Sequence, residues 1–378
     1  MSGTRDEQRV TPLELFFDLV FVFALTQVTG YLGAGESWGN VLQGIGILLA
    51  LWWAWVAYAW VANAAGSEDG PARVALLAAV AAMLVVSLAV PDAFGASAVW
   101  FAGGLLVVRL LHLSLYWILG RHDAGLRAVL RRLAVPLSVG PALLVAGALL
   151  DGPLRATAWV AALAVDYTGP VRSAGEGSRV APGHFAERFG LIVIVALGES
   201  IVSIGVGADG APLDLGLVTA AVVAAVAAAA LWWAYFDVTA LAVERRFASA
   251  SPSEQVRVAR DCYMYLHTLT VLGIILFALG VKKTLAHVDE PLSVVAAAAL
   301  CGGVALYLVS LAAFRRRGTG TLPAARVGAA AVLVLAAPLA TRVDATAALA
   351  VVASVLVALV AHETVREREL RHDLRART

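Results

Sequence analysis

Long apolar runs separated by short polar or Gly/Pro punctuation organise this chain. Twelve stretches approach the roughly 20 apolar residues that a membrane-crossing helix needs. They are 12–32, 39–62, 72–91, 96–118, 132–150, 154–170, 184–206, 214–238, 257–281, 292–314, 323–341 and 344–363. The breaks read as turns, among them Gly33-Ala34-Gly35-Glu36, Asp151-Gly152-Pro153 and Asp209-Gly210-Ala211-Pro212. Thr11-Pro12 opens the first run with a capping residue and a first-turn proline. The pattern predicts an all-α, polytopic membrane protein of about twelve helices. The tight pairs 132–150/154–170 and 323–341/344–363 leave a re-entrant alternative open.

Composition narrows the class further. The 378 residues are 61% hydrophobic and 15% charged, with a mean hydropathy of +0.83. Soluble domains sit near about 45–50% apolar and about 25% charged. An ordinary soluble enzyme, a disordered chain and a fibrous protein are thereby excluded. A net charge of +1 gives no reason to expect a nucleic-acid partner. Cys262 and Cys301 both lie in apolar runs, so neither a disulfide framework nor a Cys-based zinc site is expected. Met1–Val10 is polar, which predicts a mature first span rather than a signal peptide.

Positive charge orients the spans. With both ends placed inside, 23 of the 28 Lys and Arg fall on the inner side. Arg155, Lys282, Lys283 and Arg342 fall outside, and Arg109 lies within a span. The positive-inside rule applies to short loops like these. The expected topology is therefore multi-pass in a bacterial inner membrane, with cytoplasmic termini. The arginines of the tail would contact anionic lipid.

The halves share features. Leu51-Trp52-Trp53-Ala54-Trp55 is echoed by Leu231-Trp232-Trp233-Ala234-Tyr235, and Gly103-Gly104 by Gly302-Gly303. Spans 1 and 7 align at an offset of 172 or 173 residues, so side-chain equivalence stays open. Six spans per half would make a parallel repeat, with a site expected between the halves. The resulting division is a cytoplasmic tail 1–11, a first repeat 12–170, a linker 171–183, a second repeat 184–363 and a basic tail 364–378.

Chemistry is expected where polar side chains interrupt the spans. An ionisable group in the bilayer costs at least about 2.5–3.5 kcal/mol on insertion scales and usually faces a partner inside the protein. Span 1 carries Glu14, Asp18 and Gln27; Glu14 and Asp18 share a face, with Asp18 roughly 9 Å beyond Pro12. Span 4 carries Arg109 and His112 on one face. Span 7 carries His184, Glu187 and Arg188 at its inner end and Glu199-Ser200 deeper. Span 6 has Asp166, span 8 has Asp237 and span 9 has His267. The plainer reading of each pair is interhelical glue, because lipid supplies no hydrophobic force between helices. The functional reading is an ion or proton path, with Glu187 and Arg188 as an inner pair and Glu199 as a deep protonatable site. The histidines follow no metal-ligand spacing, so neither a metal nor a cofactor is expected. The tryptophans read as packing or an aromatic belt, and the paired glycines as close helix contacts.

The run Arg9-Val10-Thr11-Pro12-Leu13-Glu14-Leu15-Phe16-Phe17-Asp18-Leu19-Val20-Phe21 closely resembles the opening of the bacterial low temperature requirement protein A (LtrA) family. His184-Phe185-Ala186-Glu187-Arg188-Phe189-Gly190-Leu191, continuing to Gly198-Glu199-Ser200, resembles that family's second signature. Tyr263-Met264-Tyr265-Leu266-His267 and Trp232-Trp233-Ala234-Tyr235-Phe236-Asp237 are similar to further segments. The resemblance implies a polytopic inner-membrane protein named for growth in the cold, without an agreed substrate. Phe16-Phe17-Asp18-Leu19-Val20-Phe21 also resembles, more distantly, the first-helix motif of the six-helix-repeat endolysosomal and bacterial potassium channels. Phe17 stands where that motif has serine, and span 7 lacks the aspartate. That likeness implies a path lined by spans 1 and 7, a hydrophobic gate near Leu25 and Leu197, and a homodimer.

The functional expectation is a channel or transporter for a small ion or solute, with a cation or proton favoured. The alternatives are a non-transporting scaffold or lipid-binding regulator of cold adaptation, and a membrane-embedded lipid enzyme. For the last, no nucleophile or metal constellation is visible, so the chain is expected not to be an enzyme.

Overall fold

The computed structural model describes residues 10–65, 70–121, 123–173 and 180–375. The N-tail before Val10, His122, the linker segment 174–179 and the last three residues of the basic tail lie outside them. The described residues are helical nearly throughout. In chain order the first six helices are α1 (Pro12–Ala34), α2 (Trp38–Ala65), α3 (Gly70–Ala89), α4 (Ala98–Leu119), α5 (Ala124–Ala148) and α6 (Gly152–Ser173). They are followed by α7 (Pro182–Gly207), α8 (Leu215–Phe236), α9 (Thr239–Ala248), α10 (Pro252–Val258), α11 (His267–Ala286) and α12 (Val294–Ala297). The last four are α13 (Gly303–Thr319), α14 (Ala324–Ala340), α15 (Ala345–Arg366) and α16 (Arg368–Arg375). π-Helical turns, Ala259–Leu266 and Ala298–Gly302, join α10 to α11 and α12 to α13.

Among the described residues, nine helices are long and apolar enough to cross a membrane. Where twelve spans are expected, α5, α6 and α14 carry less apolar length. Leu137–Ala148 and Ala324–Ala340 form shorter apolar helical stretches. Charge interrupts the apolar run of α5 at Arg127 and Arg131 and that of α6 at Arg155 and Asp166, whereas α14 is only 17 residues long.

Local chemistry explains the helix ends. Thr11 Oγ1 accepts from the Glu14 amide at 3.3 Å, and Asp214 accepts from the Leu217 amide at 2.8 Å. Each satisfies a donor with no intrahelical partner. The predicted breaks at Asp151-Gly152 and Asp209-Gly210 turn through glycines with φ of 58° and 76°. A side chain would be strained there.

The chain divides into two compact units. The first comprises Met1–Tyr31, Leu42–Arg188 and Ala250–Arg260; the second comprises Leu32–Val41, Phe189–Ser249 and Asp261–Thr378. In the first unit α3 packs on α4, α4 on α5 and α5 on α6. A Cβ on Gly104 would lie 2.6 Å from Val86 Cγ2, so the close passage of α3 past α4 needs glycine there. Phe17, Trp52, Trp53, Trp55 and Tyr58 fill the core beside them.

In the second unit α11 crosses α13 with backbones nearly touching. A Cβ on Gly303 would lie 2.7 Å from the Phe277 amide nitrogen, and one on Gly280 would lie 2.6 Å from Leu300 Cα. Helix α15 packs on α8 and α14 on α13. Trp232 and Trp233 of α8 remain exposed, on a helix apolar almost throughout.

Candidate functional site

The ends of three helices in the first unit build a buried charged cluster. Glu14 and Asp18 lie one turn apart on α1, and both are buried. His184 and Arg188 lie one turn apart on the opening of α7, each 2% exposed. Helix α2 contributes Trp55 and Asn63. Arg188 Nη2 donates to Asp18 Oδ1 at 2.8 Å, and Trp55 Nε1 donates to the same oxygen at 2.7 Å. Arg188 Nη1 lies 3.5 Å from Glu14 Oε2, and His184 Nε2 lies 3.0 Å from that oxygen. One guanidinium therefore serves two carboxylates while its carbon sits 5.5 Å over the Trp55 ring. Asn63 anchors the start of α7, donating to the Ala181 carbonyl and accepting its amide, both at 3.0 Å. Asn63 Nδ2 also lies 3.3 Å from His184 Nδ1.

The charge count of this cluster is uneven. Two carboxylates face one arginine; Asn63 Nδ2 can only donate, so His184 Nδ1 accepts and Nε2 carries the proton toward Glu14, and a proton on one carboxyl group would balance the charge. Uncompensated charge at such depth is costly. Asp18 Oδ2 and Arg188 Nε have no hydrogen-bond partner among the described residues. The cluster thus combines strong pairing with spare hydrogen-bonding capacity.

Arg188 turns to Glu14 and Asp18. Glu187, the expected partner of Arg188, is exposed and accepts the Val10 amide at 3.3 Å.

A second polar group lies across α2. Arg109 and Asp166 pair at 3.4 Å, both buried. His112 sits one turn from Arg109, with the Tyr58 ring at 5.5 Å and the Tyr116 ring at 5.1 Å. Tyr58 donates to the Val108 carbonyl at 2.8 Å. It also stacks on Phe17 at 4.6 Å, which links the second group to α1.

In the second unit, Glu199, Ser200 and Ser203 are buried on α7. Ser203 Oγ donates to Glu199 Oε1 at 3.4 Å, and Ser200 Oγ has no partner among the described residues. His267 is fully enclosed by Phe189, Tyr235, Tyr263 and Phe314. Its Nδ1 lies 2.9 Å from the Cys262 carbonyl, left accessible by the π-helical turn. A carbonyl can only accept, so Nδ1 carries the proton and Nε2 accepts from the Tyr235 hydroxyl at 2.8 Å. Asp237 takes a forked contact from Arg371 of α16, with Nε bonds of 2.8 and 2.9 Å. Gln27 is half-buried, and Leu25 and Leu197 are buried. Among the described residues no three His, Cys, Asp or Glu side chains gather as a metal site.

Sequence reasoning did not assign roles to Trp55, Asn63 or Arg371. Trp55 reads as an ordinary core aromatic because its indole nitrogen leaves no mark in the hydropathy pattern. Asn63 offers only one polar letter at the end of an apolar run. Asp166 is visible as a carboxylate within a span, and its pairing with Arg109 is the kind of contact such a residue requires.

The helices and these buried polar groups define an integral, multi-pass α-helical membrane protein. The chain belongs to the family of the bacterial low temperature requirement A protein (LtrA), whose family model matches residues 9–361. It is also similar to the uncharacterized protein RA0937 of Rhizobium meliloti (strain 1021). The two are 30% identical over 341 residues, covering 85% of this chain and 81% of the relative.

Proposed function

We propose that this LtrA-family protein moves a small cation or proton across a bacterial inner membrane, with both termini cytoplasmic. The carrying observation is the uneven cluster of Glu14, Asp18, His184 and Arg188. Two carboxylates around one guanidinium leave one proton's worth of charge to be gained or lost at a buried site. Glu199, buried beside Ser200 and Ser203, serves as a further protonatable group. Gln27, Arg109 and His112 in the first unit and Asp237 and His267 in the second are further polar candidates, and Leu25 and Leu197 are apolar candidates, each within its own unit.

The reading includes twelve spans in two parallel six-helix repeats. Gly104 and Gly303 support the repeat. Each is the second glycine of a Gly-Gly pair, and each sits at a tight passage of its helix past the preceding long helix. The first glycines, Gly103 and Gly302, face open space. The distant likeness to six-helix-repeat channels points the same way and motivates a homodimer.

The test is a proteoliposome assay with purified protein across K⁺, Na⁺ and H⁺ gradients. Flux of one of these ions, reduced at least tenfold by Asp18→Asn or Glu199→Gln, is the expected result. Absence of flux for every monovalent cation, proton and amino acid tried would sink the proposal.

A second reading, a non-transporting scaffold, draws on buried ion pairs elsewhere in the chain. Arg326 binds Glu363 at 2.7 and 2.9 Å, and Arg315 binds Glu367 at 2.6 Å. Under that reading the same substitutions change thermal stability and leave flux at background.

A further inference from the structure

Arg109, His112 and Asp166 border a small, partly open cavity, and their polar atoms are incompletely used. The cavity is lined by Ala54, Tyr58, Arg109, His112, Pro141 and Asp166, among others, with water-sized free space of about 10 Å³. It lies wholly within the first unit. Alanines at positions 50, 54 and 57 of α2 leave the space open on one side. On the other, Gly140 of α5 makes room for the Asp166 carboxyl group, since a Cβ there would lie 2.6 Å from Asp166 Cγ.

Three polar atoms around this space lack a partner among the described residues: Arg109 Nη1, Asp166 Oδ1 and one ring nitrogen of His112, the other facing the Ala57 backbone. The side chains that carry them are 2–6% exposed, so bulk solvent does not serve them. The direct Arg109–Asp166 contact, at 3.4 Å, is long beside the about 2.7–2.9 Å of a tight charge-assisted bond. Unsatisfied buried donors and acceptors each cost about 1–3 kcal/mol.

We propose that the cavity is a binding site for one ordered water molecule that joins Arg109, Asp166 and His112. A water in such a place typically makes about three hydrogen bonds and needs about 10–15 Å³. Here it accepts from Arg109 Nη1 and donates to Asp166 Oδ1 and to the bare nitrogen of His112. The second His112 nitrogen keeps its proton toward the Ala57 carbonyl.

X-ray radiolytic labelling of the full-length protein in lipid nanodiscs tests the water directly, because radicals formed from a bound water oxidise its neighbours. The buried His112 and Pro141 are expected to be labelled within milliseconds, at least fivefold above buried side chains away from the cavity. Ala54→Leu fills the space and should abolish the excess. Should that variant misfold, Ala57→Val serves the same end. Wild-type labelling no higher than in the filled variants would overturn the proposal, even if proton flux were observed.

Discussion

Asp18 shows how a single carboxylate is held at depth in this protein. One oxygen accepts both the Trp55 indole and the Arg188 guanidinium, while the other has no partner among the described residues. Arg188 is 170 positions away in sequence, so its side chain ties the start of α1 to the start of α7. Replacing Arg188 with leucine leaves Glu14 and Asp18 buried beside each other without a cation. Removing one partner of a buried pair costs about 3–5 kcal/mol. We expect Arg188→Leu to lower the thermal unfolding midpoint in detergent sharply. Adding Asp18→Leu should restore part of the loss, and a full double-mutant cycle would measure the coupling. The helix-capping role of Thr11 is readable from the Thr11-Pro12 opening of span 1 because it is local. The use of the Glu14 carboxylate for His184 was not readable, because nothing in span 1 indicates which distant helix lies opposite.

At the scale of elements, small residues set how closely the helices pass. Gly303 and Gly302 are neighbours with the same letter and opposite surroundings. A side chain at Gly303 meets the backbone of α11, whereas one at Gly302 meets open space. Gly303→Val should therefore cost about 1–3 kcal/mol through forced separation of α11 and α13. Gly302→Ala should stay within about 0.5 kcal/mol of wild type. Denaturation in mixed micelles compares the two, and equal effects would show that backbone contact does not govern this crossing. The sequence marks both pairs as packing glycines. It does not distinguish the two members, since about 100° of helix rotation separates them and only the facing helix decides which is inside. The π-helical turn before α11 has a similar origin. It exposes the Cys262 carbonyl to His267, a bond that hydropathy does not encode.

At the scale of the whole molecule, the charged tail is built into the second unit rather than left as a free basic segment. Asp237 receives Arg371, Arg315 receives Glu367, and Leu374 is buried. Truncation after Arg366 removes Arg371 from Asp237 and Glu367 from Arg315, each of the two no more than 8% exposed. We expect loss of at least about 3 kcal/mol and faster proteolysis at the α8–α9 junction. Arg371→Ala alone should reproduce much of the effect. A truncated protein as stable as the full chain would show that these contacts are peripheral.

The amino-acid pattern alone determined the membrane class, the helical fold, the family resemblance and most of the buried polar side chains, Glu187 and Gln27 being the exceptions. Those follow from apolar run length, from motif spacing and from the cost of placing charge in hydrocarbon, all of which act along the chain. Tertiary structure decided the partnerships: Arg188 with two carboxylates of α1, Arg109 with Asp166, Arg371 with Asp237, and the small cavity beneath Tyr58. Each depends on which faces of remote helices meet, and a hydrogen bond between residues far apart in sequence leaves no periodic trace in either segment.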